Sequence, residues 1–179
     1  MKHHHARKHR LHFNRYDFIH QAAVPAQQSE LLTGVPASIT IAQAILESGW
    51  GKHHIGKANN YFGVKAHKSH GKIDQGTVAT GYVDVSTREH IKGNDITIVD
   101  HFRKYNSMSD SFIDHGLFLK KNKRYSTALA NYSKSGDADA FAQGLQDAGY
   151  ATDPHYADLL TKIMTKFSLY QYNKKQSAR

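Results

Sequence analysis

The feature that most constrains this chain is a single switch of hydrophobic period. Between Thr77 and Tyr105 the apolar residues alternate, with Val83 and Val85 in one run and Ile96, Ile98 and Phe102 in the next. A period of two marks half-buried strands, and Lys92-Gly93-Asn94 supplies the turn between them. That block reads as one β-hairpin. On either side the period is helical: Ile39, Ala42, Ile45 and Leu46 recur at steps of three and four, and so do Phe112, Ile113, Gly116 and Leu119. The pattern predicts an α+β domain, mostly helical, interrupted once by a small hairpin lobe at about 77–105. At 179 residues the chain fits one domain with a real core.

Local signals place the helices. Asn14 is a candidate cap for a first helix bearing Phe18, Ile19, Ala22 and Ala23, which Pro25 is expected to kink or end before it resumes at Ala26–Leu32. A second helix starts near Pro36 and stops at Gly49, a residue suited to a left-handed cap. Residues 52–76, rich in Gly, Asn, His and Lys, read as a long loop. Shorter helices are expected near Tyr125–Asn131 and Asp137–Ala148, and a last one from Asp153-Pro154 to about Tyr170.

The formal charge is +9, with 24 Lys and Arg against 15 Asp and Glu, which favours polyanionic partners. Part of the excess lies in residues 1–16, read as a basic, His-rich arm or tag remnant; residues 173–179 read as a basic tail, leaving 17–172 as the domain. No zinc finger, RNP motif or Gly-Lys phosphate loop is present, so nucleic acid is not the expected partner. No apolar run approaches the roughly 18 residues of a membrane span, and MKHHHARKHR lacks the apolar stretch of a secretory signal. With no cysteine, thiol catalysis and Cys-metal sites are excluded. The adjacent His53 and His54 lack a partner at zinc-site spacing, so neither metal nor cofactor is expected. Ser48 has no GxSxG context and is no nucleophile.

One acid stands out. In AQAILESGWG, Glu47 closes an apolar helix immediately before a Gly-Trp-Gly turn. Helix-end carbonyls and any apolar wall both disfavour its charge and raise its pKa. A carboxylic acid kept protonated is what a general acid needs, although most lone helical Glu residues are simply exposed.

The stretch AQAILESGWGKHHIGKANNYFGVKA resembles the signature of the glucosaminidase-type peptidoglycan hydrolases, glycoside hydrolase family 73, which includes bacterial autolysins. STREHIKGNDITIVDHFRKYNS, SFIDHGLFLKKNKRY and LQDAGYATDPHYADLLTKIM resemble further family segments in the same order, over about Asp17–Tyr170. The resemblance implies a lysozyme-like domain in which the hairpin flanks an active-site cleft. It implies hydrolysis of the β-1,4 bond after N-acetylglucosamine in peptidoglycan, in the bacterial periplasm or the extracellular wall. A monomer without cofactor is the expectation, the oligomeric state not being legible in the sequence.

By that resemblance Glu47 is the catalytic acid and Glu89 the second carboxylate. Arg88 and His90 depart from the family's usual neighbours, which leaves Asp84 and Asp95 as substitutes and an ion pair of Glu89 with Arg88 or Lys92 as the plain alternative. Tyr150 is implied in the cleft as a third catalytic group. Trp50, Asn60, Tyr61 and Tyr156 are implied as substrate-binding, with Phe62 mainly core. An N-acetylmuramidase or lytic transglycosylase on the same scaffold, or a wall-binding module without activity, are the competing readings.

Overall fold

The computed structural model describes residues 14–70 and 72–174. Helix α1 (Arg15–Thr33) begins where Asn14 accepts a hydrogen bond from the Tyr16 N–H at 2.9 Å. Arg15 and Tyr16 therefore belong to the domain rather than to the arm, because Asn14 supplies the acceptor that a first turn lacks. Residues 1–13 of the arm lie outside the described residues. Pro25 does not end the helix, which runs unbroken through it. Ala22, Ala23 and Ala26 are all buried, and their packing holds the turn together where Pro25 offers no N–H.

Helix α2 (Ala37–Ser48) is the axis of the fold. Every residue from Ala37 to Ile45 is buried, so the helix is walled on all sides. Helices α1, α3, α5 and α6 and the 3-10 turn Leu169–Tyr172 all pack against it. Pro36 holds its N-cap position without a side-chain acceptor. Two distant side chains fill that role: Glu30 accepts from the Ala37 N–H and Asn173 from the Ser38 N–H, each at 2.8 Å. The Glu30 carboxylate also faces the positive end of the helix dipole. Asn173, expected in a tail, is thus part of the domain; residues 175–179 lie outside the described residues.

Helix α3 (Met108–Lys121) is capped by Ser107, whose Oγ accepts from the Asp110 N–H. It crosses α1 at Gly116, where a Cβ would run into the side chains of Ser29 and Thr33. Gly116→Ala is expected to cost about 1–3 kcal/mol by overpacking, read as a lower denaturant midpoint. An unchanged midpoint would mean that the two helices can part freely.

Helices α4 (Ser126–Ser135) and α5 (Ala138–Asp147) follow, the latter capped by Asp137 through the Ala140 N–H at 3.0 Å. Helix α6 (Tyr156–Lys166) is shorter than the sequence suggests at both ends. Asp153 accepts from the His155 N–H to make a turn, which delays the helix to Tyr156. Ser168 adopts a left-handed φ of 52°, and the chain leaves the helix for the 3-10 turn.

The loop after α2 contains more order than its composition shows. A 3-10 turn spans Gly56–Ala58, and the short strands β1 (His67–Ser69) and β2 (Lys72–Asp74) pair antiparallel. Strands of three mostly exposed residues carry no legible alternation. The hairpin itself is β3 (Gly81–Ile91) and β4 (Asn94–Lys104), in register from Gly81↔Lys104 to Ile91↔Asn94. Lys92 and Gly93 form its two-residue turn with φ of 51° and 80°, the conformation that matches strand twist. At the base, segment 64–66 bonds to β4 and Arg103 pairs with Asp114 of α3 at 2.9 Å. From Ser86 onward β3 is exposed, so the distal half of the hairpin stands in solvent. Among the described residues no helix is long and apolar enough to cross a membrane.

Candidate active site

The last turn of α2 is where the buried axis reaches the surface. Leu46 and Glu47 are exposed after the unbroken buried run from Ala37 to Ile45. The turn beyond is held in an unusual conformation, with Gly49, Trp50 and Gly51 at φ of 54°, 63° and 79°. Trp50 is a bulky residue in the left-handed region, which is rarely adopted without cause. Ser48 fixes the turn by donating to the Ala44 carbonyl and accepting from the Gly51 N–H at 2.8 Å. Gly51 has no room for a side chain, since a Cβ would lie 2.6 Å from the Phe18 ring. Glu47 is thereby delivered by a rigid helix end rather than by a mobile loop.

Although Glu47 reaches the surface, partial desolvation of its carboxyl raises its pKa, and the negative end of the helix dipole acts in the same direction. One turn back on the same face lies Gln43, fully buried. Its amide donates to the Tyr156 hydroxyl at 2.8 Å. Its carbonyl oxygen lies 2.7 Å from Nε2 of His115. The rings of Tyr150 and Tyr156 stack at 5.5 Å and 22°, with Tyr125 6.0 Å from Tyr150. Burial first, and the neighbouring Glu47 charge after it, push both phenols above the ordinary tyrosine range. They remain protonated donors. Burial also lowers His115 to about 3, so its ring is neutral.

Tyr150 and Tyr156 are therefore brought together with Glu47, Tyr156 sitting beneath the surface at 5% exposure. Asn60 is not a ligand-facing group. It is 1% exposed, and its amide ties the loop by donating to the Val64 and Arg103 carbonyls and accepting from the Val64 N–H. Trp50 is likewise turned to the protein: its ring packs edge-on against Phe167 at 4.8 Å and Phe18 at 6.5 Å, with the Arg15 guanidinium 5.1 Å from its centre. The left-handed turn that presents Glu47 sends the indole to the joint of α1 and α6. Tyr61 is half-buried, stacked on His54 and packed edge-on to Phe112. Phe62 is core, as expected, and stacks on His115.

The hairpin carboxylates separate by face. Val83, Val85, Thr87 and Glu89 share one side of β3, opposite Phe102, Asp100, Ile98 and Ile96. The base of the hairpin, at Val83, Asp84, Val85 and Phe102, borders a hollow of about 540 Å³ shared with Lys52, His53, Ile55 and Gly56 from the loop after α2. Asp84 and Asp95 project from the alternate residues of the pleat, where Asp84 pairs with His101 and Asp95 with His90. Among the described residues no ion pair joins Glu89 to Arg88 or Lys92.

Sequence reading missed Gln43, His115 and Tyr125. Gln43 had a signal, since it is polar in an apolar run and four residues before Glu47. The other two had none, because only tertiary packing carries α3 and the Tyr125 turn to α2. Among the described residues no group of three His, Asp or Glu side chains is arranged to hold a metal.

Comparison with known proteins gives a consistent answer. The family model described as glucosaminidase, mannosyl-glycoprotein endo-beta-N-acetylglucosaminidase, matches residues 23–169. The peptidoglycan hydrolase FlgJ of Escherichia coli is 38% identical over 152 residues, covering 82% of this chain and 45% of that protein. The exo-glucosaminidase LytG of Bacillus subtilis is 41% identical over 143 residues, covering 76% of this chain and 45% of that protein. The chain thus spans about half the length of these curated relatives. Among solved structures, the glycoside hydrolase domain of Salmonella typhimurium FlgJ superposes with a TM-score of 0.71 at 33% identity, covering 87% of this chain and 98% of that one. The fold is the lysozyme-like α+β domain.

Proposed function

Because the chain belongs to the glucosaminidase family of glycoside hydrolases, we propose that it hydrolyses the β-1,4 bond following N-acetylglucosamine within peptidoglycan strands, with Glu47 as general acid. The observation that carries this reading is the position of Glu47. It emerges from a fully buried helix onto a rigid turn, beside two stacked tyrosines, with burial favouring its protonated form. Such an acid holds the proton that a departing glycosidic oxygen requires.

Glycoside hydrolysis also needs a group that activates water or stabilises the oxocarbenium ion. Glu89 is the family-matched candidate and has no ion-pair partner among the described residues, while Asp84, which borders the hollow beside the loop after α2, and Asp95 are each paired with a histidine. Glu89→Gln should slow turnover strongly, whereas Asp84→Asn and Asp95→Asn should leave it near the parent value. The reverse ranking would transfer the role to an aspartate. Tyr150 and Tyr156 position the sugar by donating hydrogen bonds. The excess of positive charge holds the enzyme to the anionic wall, its place of action in the periplasm or outside the cell, by an attraction that salt weakens.

Digestion of purified peptidoglycan followed by mass spectrometry of the new ends tests the proposal. Reducing N-acetylglucosamine ends are expected. Reducing N-acetylmuramic acid would instead identify a muramidase, anhydro-muramic ends a transglycosylase, and wall binding without products a non-catalytic module.

A further inference from the structure

We infer that His115 and Gln43 are positioning residues that hold Tyr156, the tyrosine stacked on Tyr150, as a hydrogen-bond donor toward the ligand. The inference rests on the placement of the active site proposed above, and it follows from the polarity of one buried chain of hydrogen bonds.

Gln43 has one carbonyl oxygen and one amide nitrogen, and the protein engages both. The oxygen faces Nε2 of His115 at 2.7 Å, while the nitrogen donates to the Tyr156 hydroxyl at 2.8 Å. A carbonyl oxygen can only accept, so Nε2 must carry the ring proton. The phenol of Tyr156 has a single proton of its own, which must point away from the amide. The sequence of donors runs from His115 through Gln43 to Tyr156 and leaves the interior as an O–H group beside the stacked Tyr150 ring.

Turning the amide over would reverse everything. The nitrogen would then donate to an unprotonated Nε2, and the Tyr156 hydroxyl would donate inward to the Gln43 oxygen, presenting only lone pairs to the cleft. The tautomer of His115 and the orientation of the amide are therefore one choice, made on a ring that lies flat against Phe62 at 4.0 Å and 5° and is shut off from solvent at 1% exposure. With the amide oxygen on Nε2, the ring donates. An outward donor recognises an acceptor atom, such as the carbonyl of a sugar's acetamido group or the carboxylate that Glu47 becomes after giving up its proton.

The test has a reading that does not depend on activity. In protein labelled with ¹⁵N-histidine, His115 can be assigned through its contacts to Phe62, and its ring correlations report the tautomer directly. An Nε2-protonated ring, unchanged from pH 5 to 8, is expected; an Nδ1-protonated ring would overturn the inference whatever the enzyme does. In His115→Phe, which preserves the ring stack and removes the donor, kcat should fall about tenfold with KM within about twofold of the parent. Parent-level kcat in that variant, folded by circular dichroism, would also defeat it. Loss of the Glu47 assignment alone would leave the tautomer result standing, so the two failures are distinguishable.

Discussion

Glu47→Gln is expected to lower turnover on peptidoglycan by roughly a hundredfold or more while the fold persists. The amide keeps the size and most of the contacts of the acid but has no proton to give at accessible pH. The helix beneath it is buried from Ala37 to Ile45, and Ser48 and Gly49 fix the turn beyond it, so the substitution has little structure to disturb. Assaying release of reducing ends checks the loss. Near-parent activity would remove Glu47 from the mechanism.

The same variant has a stability signature of opposite sign. Burial raises the pKa of Glu47 in the folded state, so folding favours its protonated form. That favour is fully present below the unfolded pKa and is lost as pH rises through the raised folded value. At higher pH the parent must hold an ionised carboxylate in a partly desolvated place. Glu47→Gln should therefore melt at a higher temperature than the parent near pH 8, with the gap closing in acid below the ordinary glutamate range. Activity should show the matching alkaline limb, falling as Glu47 ionises. A melting difference that grows in acid would contradict the desolvation argument.

The second large effect concerns stability. Glu30 is 5% exposed and serves three donors: the Ala37 N–H at 2.8 Å, the Tyr132 hydroxyl at 3.0 Å and the Lys174 N–H at 3.1 Å. It joins α1 to the start of α2, to α4 and to the end of the described chain. Glu30→Ala removes this shared acceptor from a buried place and is expected to cost about 3–5 kcal/mol. For a domain of this size that lowers Tm by roughly 10 °C or more. Glu30→Gln keeps one acceptor oxygen but turns an N–H₂ group toward the remaining donors, so its loss should be intermediate. Thermal unfolding of the two variants tests the order; equal and small shifts would show that water replaces the carboxylate.

These two acids also show how far a linear reading reaches. The placement of Glu47 was legible because it is local: an acid in the last turn of an apolar helix, followed by Gly49, says where the helix stops and which field the charge meets, while its proposed role came from the family resemblance. Glu30 was not. Nothing within four residues of it indicates that it caps another helix, and Pro36, which looks like an ordinary helix start, conceals the need for a distant acceptor. Asn60 failed for the same reason. It sits in a segment expected to line the cleft, yet its amide is consumed by the Val64 and Arg103 backbone. Trp50 is half-buried, with its indole against Phe18 and Phe167 on a turn of φ 63°, a placement that no local pattern shows.

By itself the sequence determined the helical body, the hairpin and its Lys92-Gly93 turn, the stop at Gly49 and the acid before it. All of these depend on periodicity, capping and backbone freedom, which act over a few residues. Tertiary structure alone decided that Gln43, His115 and Tyr156 form one hydrogen-bonded group on which Tyr150 stacks, that Asp84 and Asp95 are paired with histidines while Glu89 is not, and that the Asn60 amide serves the scaffold. Those outcomes are set by which buried polar atoms find partners across distant segments, and that matching exists only once α2 is enclosed.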